Sequence, residues 1–481
     1  MSDSFLFYDL ETFGSDPRRS RIAQFAAIRT DGELNQIEEP ISFLVQPADD
    51  LLPSPEATLI TGITPQHALR EGVNEAEAMA RIVEAMARPR TCTLGYNSLR
   101  FDDEFVRYGL YRNFFDPYER EWRSGNSRWD LLDVLRLAHA LRPEGIVWRA
   151  REDGGGTSFK LEHLAEDNGL REGMAHEALS DVRALIGLAR KLKTAQPRLW
   201  EHAARLRDKR HASALLDTVA MTPLLHVSQR FPASRLCAAP VLPLVRHPQI
   251  DSRVIVYDLT QDIEPLLALD AEAIADRLYV RQADLPEGEQ RIGLKEVHAN
   301  KCPVLIEWAH LRATDFERLG IDPSQVEARA ARLRKAGPSL AEKVRRVFAR
   351  ASAFEAADAD AALYDGFIPD SDKRLMTQVR VATAQQLDGD GFRFRDPRLA
   401  TLLLRYRARN WPQSLTFEQR MQWDEYRRRR LCEDSGLSEL TLPQWRERIT
   451  ALRTHLAGDA GKLALLDHLE AWGNDIEGSL P

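Results

Sequence analysis

The sequence predicts a multidomain α/β protein: an N-terminal domain with a central mixed sheet, a smaller β-rich middle part with appended helices, and a helical C-terminal part. Three observations carry this. Strand-like and helix-like runs alternate from residue 5 to about residue 190; short strand-like runs separated by Pro- and Gly-containing turns follow; and Arg405 to Trp472 is nearly all helical in pattern. A length of 481 residues exceeds one ordinary core and suggests about three domains.

In the N-terminal part, Phe5-Leu6-Phe7-Tyr8 reads as a buried strand. Ile22 to Thr30 and Ile37 to Gln46 look like strands joined at Asp31-Gly32, a hairpin signal. Asn74 followed by Glu77 opens an amphipathic helix carrying Met79, Ile82, Val83 and Met86, close to a capping box. Thr91 to Gly95 returns as a strand, and a helix begins near Phe101. Leu131 to Leu141 is a further helix, Gly154-Gly155-Gly156 an exposed loop, and Ala178 to Lys193 the last helix of this part. Pro197 marks a first boundary and the Ala- and Asp-rich stretch Ala351 to Ala362 a second. Between them lie a helical stretch (Leu199 to Val219) and strand-like runs at Arg253 to Leu259 and Cys302 to Ile306; the last part is broken at Pro412 and Pro443. The expected domains are 4–195, 196–350 and 353–481.

Composition narrows the class. Hydrophobic residues make up 43% and charged residues 29%, as in soluble globular proteins. No apolar stretch reaches the ~18 residues of a membrane helix, so no membrane association is expected. Met1-Ser2-Asp3-Ser4 carries no basic leader. Cys92, Cys237, Cys302 and Cys432 lie far apart without a C-x-x-C pair, which fits reduced thiols in the cytoplasm better than a disulfide frame or a zinc site. Net charge is −7 but uneven. From Glu327 to Arg350 eight basic residues face Glu327 and Glu342; from Arg405 to Arg430 eight arginines face Glu418, Asp424 and Glu425. Such basic islands suit either phosphate contact or an ordinary solvated helix face.

The chemistry lies in acidic residues. Asp9 and Glu11 follow the first apolar run at a spacing of two, so both leave one face of a strand. Two carboxylates side by side repel and lose hydration, and a divalent cation is the simplest remedy. Farther on, Asp102-Asp103 stands where a helix begins; one aspartate is expected to cap the helix and the other to point inward. His176-Glu177-Ala178-Leu179-Ser180-Asp181 precedes an apolar helix. Five helical residues turn roughly 500°, so His176 and Asp181 share a site only with Asp181 on the helix and His176 in the loop before it.

The order D-x-E, then Asp about ninety residues on, then H-x4-D resembles the DEDD exonuclease superfamily, in its histidine-bearing subgroup of RNase H-like fold. Longer strings are similar to the bacterial exodeoxyribonuclease I family: Phe7-Tyr8-Asp9-Leu10-Glu11-Thr12-Phe13-Gly14, Ile60-Thr61-Gly62-Ile63-Thr64-Pro65, Arg100-Phe101-Asp102-Asp103-Glu104, Asn126-Ser127-Arg128-Trp129-Asp130 and Leu141-Arg142-Pro143-Glu144-Gly145-Ile146. The similarity continues in His298-Ala299-Asn300-Lys301-Cys302-Pro303 and Arg405-Tyr406-Arg407-Ala408-Arg409-Asn410, and so spans the chain. It implies an RNase H-like exonuclease domain, an SH3-like α+β middle domain and a helical C-terminal domain, the three closing around the substrate. It also implies 3′-to-5′ hydrolysis of single-stranded DNA to mononucleotides, in DNA repair or recombination, by a monomer.

On that resemblance Asp9, Glu11, Asp102 and Asp181 would hold two divalent ions, Mg²⁺ or Mn²⁺ by their hard oxygen ligands. His176 would act as general base near neutral pH. Glu11, Thr12 and Lys160 fall near the terminal nucleotide, Lys160 standing where the family usually has arginine. Arg107, Tyr118, Trp122, Arg136, Lys209, Tyr279, Lys295 and Asn300 match strand contacts, while Trp129 and Trp148 are expected in the core. Arg142, Arg312 and Arg334 match arginines that bind the acidic C-terminal tail of single-strand DNA-binding protein; His202 and Thr222 replace a tyrosine and a lysine there. Two competing readings are a DEDD nuclease acting on RNA ends or proofreading a polymerase, and a non-catalytic single-stranded-DNA-binding protein. The about 290 residues beyond the nuclease domain weigh against the first, and the five intact site residues against the second.

Overall fold

The computed structural model describes residues 3–171, 173, 177–280, 284–349, 356–388 and 391–480. Its packing divides the chain into two compact units: Met1–Ser127 with Arg171–Leu185 and Glu355–Pro481, and Arg128–Leu170 with Ile186–Phe354.

In the first unit, strands β1 (Ser4–Thr12), β2 (Ile22–Thr30), β3 (Ile41–Leu44) and β4 (Thr91–Gly95) form a mixed sheet in the order β3-β2-β1-β4. β1 is antiparallel to β2 and parallel to β4. Leu6, Tyr8 and Leu10, at alternate positions of β1, share one core cluster with Met79, Ile82, Phe105 and Val106. The opposite face at the end of β1 is therefore free to carry Asp9 and Glu11. The β1–β2 register shifts between Glu11 and Thr12, a bulge that re-aims the side chains at the strand's end. The second strand of the expected hairpin is interrupted: a bridge at Gln36–Thr30 and the Ile37 N–H donating to the Arg29 carbonyl (3.0 Å) come first, Pro40 has no N–H for the ladder, and regular pairing resumes at Ile41.

Helix ends follow local chemistry. Asn74 caps the Glu75–Met86 helix by accepting from the Glu77 N–H (2.9 Å). Gly62 ends the Pro55–Thr61 helix at φ 70°, and Thr64 caps the next helix, so the Thr61–Thr64 turn depends on glycine's freedom at positive φ. Pro197 and Pro443, expected as breaks, each sit in the first turn of a helix (Pro197–Arg205 and Leu442–His455), where a missing N–H costs nothing.

The C-terminal helices belong to the unit that holds β1. Tyr108, Tyr111 and Phe114 share one apolar cluster with Leu363, Met376, Leu399, Leu402 and Tyr406. The Trp445 and Trp472 indoles donate to the carbonyls of Pro53 (2.7 Å) and Leu51 (3.0 Å). The arginine-rich stretch 405–430 is turned inward at both ends, while Arg420 and Arg429 are exposed. Arg405, Arg407, Arg427 and Arg430 are buried, and Arg405 and Arg409 pair with Asp358, Asp360 and Asp50.

β5 (Ser127–Asp130) leads out of the first unit. In the second unit β6 (Leu224–Val227), β7 (Ala238–Arg246), β8 (Arg253–Asp258), β9 (Leu294–His298) and β10 (Val304–Glu307) form an antiparallel sheet in the order β10-β6-β7-β8-β9. The Pro323–Phe348 helix packs on it through Val326, Leu333, Leu340 and Val344. Several basic residues of that helix are engaged within the unit: Arg345 pairs with Glu342, Arg332 with Glu264, Arg329 donates to the Leu259 carbonyl (2.8 Å), and Lys343 donates to the carbonyls of Leu267 and Leu269 (both 2.9 Å). Among the described residues no helix is long and apolar enough to cross a membrane.

Candidate active site

Asp9 and Glu11 leave the same face of β1, and Asp181 reaches them from the first turn of the Ala178–Ala195 helix. Each offers a carboxylate oxygen, and the three oxygens lie within 4.8 Å of one another. Glu11 and Asp181 are each 8% exposed. Burial, then the charges of Asp181 and Asp102, push the Glu11 carboxyl up to about 8. Burial likewise raises Asp9 well above the usual carboxylate range, with Asp102 its strongest charged neighbour, ahead of Glu11 and Asp181. The structure thus brings all four expected carboxylates into one electrostatic neighbourhood. Its tight trio is Asp9, Glu11 and Asp181, with Asp102 acting on both Asp9 and Glu11.

The turn after β4 explains Asp102. Asn97 takes φ 61°, within reach of its short polar side chain, and the Asp103 N–H donates back to the Ser98 carbonyl (2.9 Å). The Asp102–Arg112 helix then starts with Phe101 at its N-cap and no side-chain cap bond. Neither aspartate caps it, contrary to expectation. Asp103 is instead claimed by the Tyr8 hydroxyl (2.9 Å) and by Arg120 (2.5 Å), inside the core. Both aspartates are buried, and it is Asp102 whose charge acts on Asp9 and Glu11.

Oxygen-only donors, burial and the mutual repulsion of neighbouring carboxylates fit a hard divalent cation. Among the described residues Arg171 donates to Asp181 (2.6 Å). His176 lies outside the described residues.

The remaining expected residues fall in several places. Thr12 donates its hydroxyl to the Gly14 carbonyl (2.7 Å) beside Glu11. Arg107 is buried, held by Glu121 (2.7 and 2.9 Å) and Glu104 (2.9 Å), with its guanidinium 5.4 Å from the Tyr118 ring centre. Trp122 is 64% exposed. In the second unit Arg136 and Lys160 line one cavity of about 810 Å³ together with His139, Phe159 and Phe231. Arg136 pairs with Asp133 and lies over Phe159; Lys160 is exposed and pairs with Glu162. Lys209 opens an exposed helical turn, Tyr279 is 62% exposed, and Lys295 meets the His226 ring (2.8 Å). Asn300 is exposed, and its carbonyl accepts from Arg128 (3.4 Å). Trp129 is buried against Trp200, as expected, and Trp148 is half-buried, donating to the Pro143 carbonyl (2.8 Å).

Arg142 forms a two-point pair with Asp315 (2.5 and 3.2 Å), and the Arg312 N–H donates to the same carboxylate (2.9 Å). Arg334 pairs loosely with Glu327 (3.9 Å), and His202 contacts the Leu305 carbonyl (2.7 Å). The sequence reading missed Tyr364, which contacts Arg107 (3.1 Å) and Glu104, and Glu439, which lines a cavity with Glu11 and Thr12. Both lie hundreds of residues from their partners, and no local pattern marks them.

Comparison with known proteins decides the family. Three family models match in succession: "Exonuclease" over residues 6–189, "Exonuclease I SH3-like domain" over 207–350 and "Exonuclease I C-terminal domain" over 357–476. The chain belongs to the exonuclease I family. It is 44% identical to exodeoxyribonuclease I of Escherichia coli over 98% of both chains. It matches the solved structure of a moderately thermophilic exonuclease I from Methylocaldum szegediense at TM-score 0.94 and 46% identity, covering 98% of this chain and 99% of that one. The zinc-bound form of an E. coli exonuclease I–single-stranded DNA complex matches at TM-score 0.93 and 44% identity, over 99% of this chain and all of that one. The four-stranded part around β1 is thus that of the exonuclease domain, and the antiparallel sheet β6–β10 that of the SH3-like domain.

Proposed function

We propose that the protein hydrolyses single-stranded DNA from its 3′ end, releasing 5′-mononucleotides, with divalent cations held by Asp9, Glu11, Asp102 and Asp181. The convergence of three carboxylate oxygens within 4.8 Å, in a site that drives Glu11 to about 8, is the observation that carries it. Two Mg²⁺ ions, or Mn²⁺, would lower the pKa of the attacking water and offset charge on the phosphate and the leaving oxygen.

The chain's own residues have separate tasks. Asp9 is central among the four carboxylates, which suits a ligand shared between two ions. His176, which precedes the Asp181 helix in sequence, would take the proton from the water. Thr12 and Glu11 sit beside the position of the terminal nucleotide. Arg136 and Lys160, with Phe159 between them in one cavity, offer the cation and ring pairing that holds a phosphate and a base without reading sequence. Exposed Trp122 and Tyr279 extend stacking surface to further bases. We also propose that the reaction is processive.

The acidic tail of single-strand DNA-binding protein is the proposed partner, at Arg142, Arg312 and Arg334. Support comes from the corner where Arg142 and Arg312 share Asp315, because an acidic peptide competes for the same guanidinium. Tail-deleted partner should lose binding; unchanged binding refutes this site. We place the activity in a monomer in the cytoplasm, consistent with four thiols without disulfide partners.

A single assay tests the central reading: 3′-labelled single-stranded DNA, duplex DNA and RNA, each with Mg²⁺ or EDTA. Stepwise loss of the label from single-stranded DNA in Mg²⁺ is the expected result, and equal rates on RNA would point to the RNA-processing alternative. His176→Ala should keep metal and DNA binding while turnover falls ~10²- to 10⁴-fold. Near-normal turnover in that variant removes His176 from the chemistry.

A further inference from the structure

We propose that Glu439 is a positioning residue for the catalytic strand: its carboxylate clamps the Gly14–Asp16 backbone and thereby holds Glu11 and Thr12 in place. The catalytic part of this inference rests on the exonuclease reading above; the clamp itself does not.

β1 ends at Thr12, at the bulge, and the chain then makes an irregular loop to Ser20. Part of that loop supports itself: the Ser20 and Arg19 N–H groups donate to the Asp16 carbonyl (2.7 and 3.0 Å), and Arg18 pairs with Asp16. The Ser15 and Asp16 N–H groups point elsewhere. They donate to the two oxygens of Glu439, at 3.4 and 2.8 Å. A carboxylate accepting from successive backbone N–H groups makes charge-assisted bonds, stronger than neutral ones. The loop is shaped for this contact. A Cβ on Gly14 would lie 2.7 Å from one Glu439 oxygen and 3.1 Å from its carboxyl carbon, so only the bare Cα lets the carboxylate approach.

The same segment grips the loop's far end. Arg430 donates to the Arg19 carbonyl (2.5 Å) and to the Asp50 carbonyl (2.8 Å). The clamp also borders the site. A cavity of about 560 Å³ is lined by Glu11, Thr12, Leu52, Phe101, Glu439 and Leu440 among others. Glu439 thus ties Gly14, whose carbonyl receives the Thr12 hydroxyl, to a wall of the space beside Glu11. Its role is separable from docking of the C-terminal helices. The Leu442–His455 helix is anchored independently by the Trp445–Pro53 hydrogen bond and by Leu442, Trp445 and Ile449 packed with Leu466 and Leu469.

The experiment compares Glu439→Ala and Glu439→Gln with the unaltered full-length protein. It reads hydrogen exchange at the Ser15 and Asp16 amides, melting temperature, single-stranded DNA affinity in EDTA, and kcat and KM in Mg²⁺. Glu439→Ala should speed exchange of both amides at least ~10-fold. Its kcat should fall about 10-fold or more, because misplacing reacting groups by even 1 Å is costly. DNA affinity should stay within about twofold and melting temperature within about 2 °C, since the helix anchors remain. Glu439→Gln keeps an oxygen for the Asp16 N–H and should restore most of the kcat. Unchanged exchange in Glu439→Ala overturns the clamp. Faster exchange with unaltered kcat, or a glutamine variant as impaired as the alanine one, overturns its positioning role. A loss of kcat and DNA affinity in parallel with a lowered melting temperature makes Glu439 merely structural and overturns it too. Absence of nuclease activity in the unaltered protein refutes the exonuclease reading instead, and the exchange measurement still decides the clamp.

Discussion

Asp50 and Asp360 are as thoroughly buried as Glu11 and Asp181, in the same packed unit, yet their chemistry runs the opposite way. Burial alone would raise Asp50, but Arg409, Arg430 and Arg21 outweigh it and hold the carboxyl below its ordinary range. Asp360 is likewise held well below, against burial, by Arg409 and Arg405, and accepts from the Tyr426 hydroxyl (2.8 Å). Asp9 and Glu11 face other carboxylates, and both are driven up. A buried anion whose partner lies in the chain is architecture. A cluster of buried carboxylates that raise one another has the donor set of a cation site.

The largest effect should come from removing a member of the carboxylate cluster around Glu11. Asp181→Ala and Asp9→Ala are each expected to lower turnover on the order of 10³-fold, the rate equivalent of ~4 kcal/mol. Divalent-ion binding followed by calorimetry should weaken with it, while the thermal midpoint in EDTA holds steady or rises as repulsion is relieved. Loss of stability without loss of metal binding would erase the contrast between the two clusters.

The compensated cluster should answer in the other currency. Asp360→Ala takes one of two carboxylate partners from each of Arg405 and Arg409, leaving them Asp358 and Asp50, and is expected to cost about 3 kcal/mol of stability, measured by denaturant unfolding. Activity per folded molecule should remain near that of the parent. A stable but inactive Asp360→Ala protein would assign that cluster to the chemistry.

The pH dependence sharpens the comparison. A carboxyl raised from 4.5 to about 8, as in Glu11, contributes stability at low pH that is lost as pH rises through about 8. Asp50 and Asp360, being depressed, contribute stability above the ordinary carboxylate range and lose it only on strong acidification. Between pH 6 and 8.5 in EDTA the melting temperature should therefore fall through Glu11. Added Mg²⁺ should raise it more at pH 8.5 than at pH 6, by about 2 °C or more. Equal metal-induced shifts at the two pH values would contradict the raised carboxyls.

The smallest effect concerns the substrate side. Lys160 is an exposed point charge at the rim of its cavity. Lys160→Arg, with a planar two-point donor, should lower KM for single-stranded DNA about two- to threefold at unchanged kcat. A raised KM would show that the cavity is fitted to the ammonium.

Much of the catalytic strand was legible because its signals are local. Alternation along a strand puts Asp9 and Glu11 on one face whatever the fold, and Asn74 caps its helix through a bond three residues away. The roles of Asp102 and Asp103 were not separable in that way. Their assignment is made by Tyr8, 95 residues back, and by Arg120 on a later turn. The arginines of 405–430 misled for the same reason, since a charge pattern on a helix does not say which face is covered.

By itself, then, the sequence determined the fold class, the pairing of Asp9 with Glu11 and membership of a family whose long motifs run from end to end. Tertiary structure alone decided which charges are neutralised within the protein: Arg409 meets Asp50 across 359 residues, and Glu439 meets Ser15 across 424. Side-chain periodicity is set by backbone geometry within a few residues, whereas the cost of burying a charge depends on whatever neighbour the folded chain brings to it.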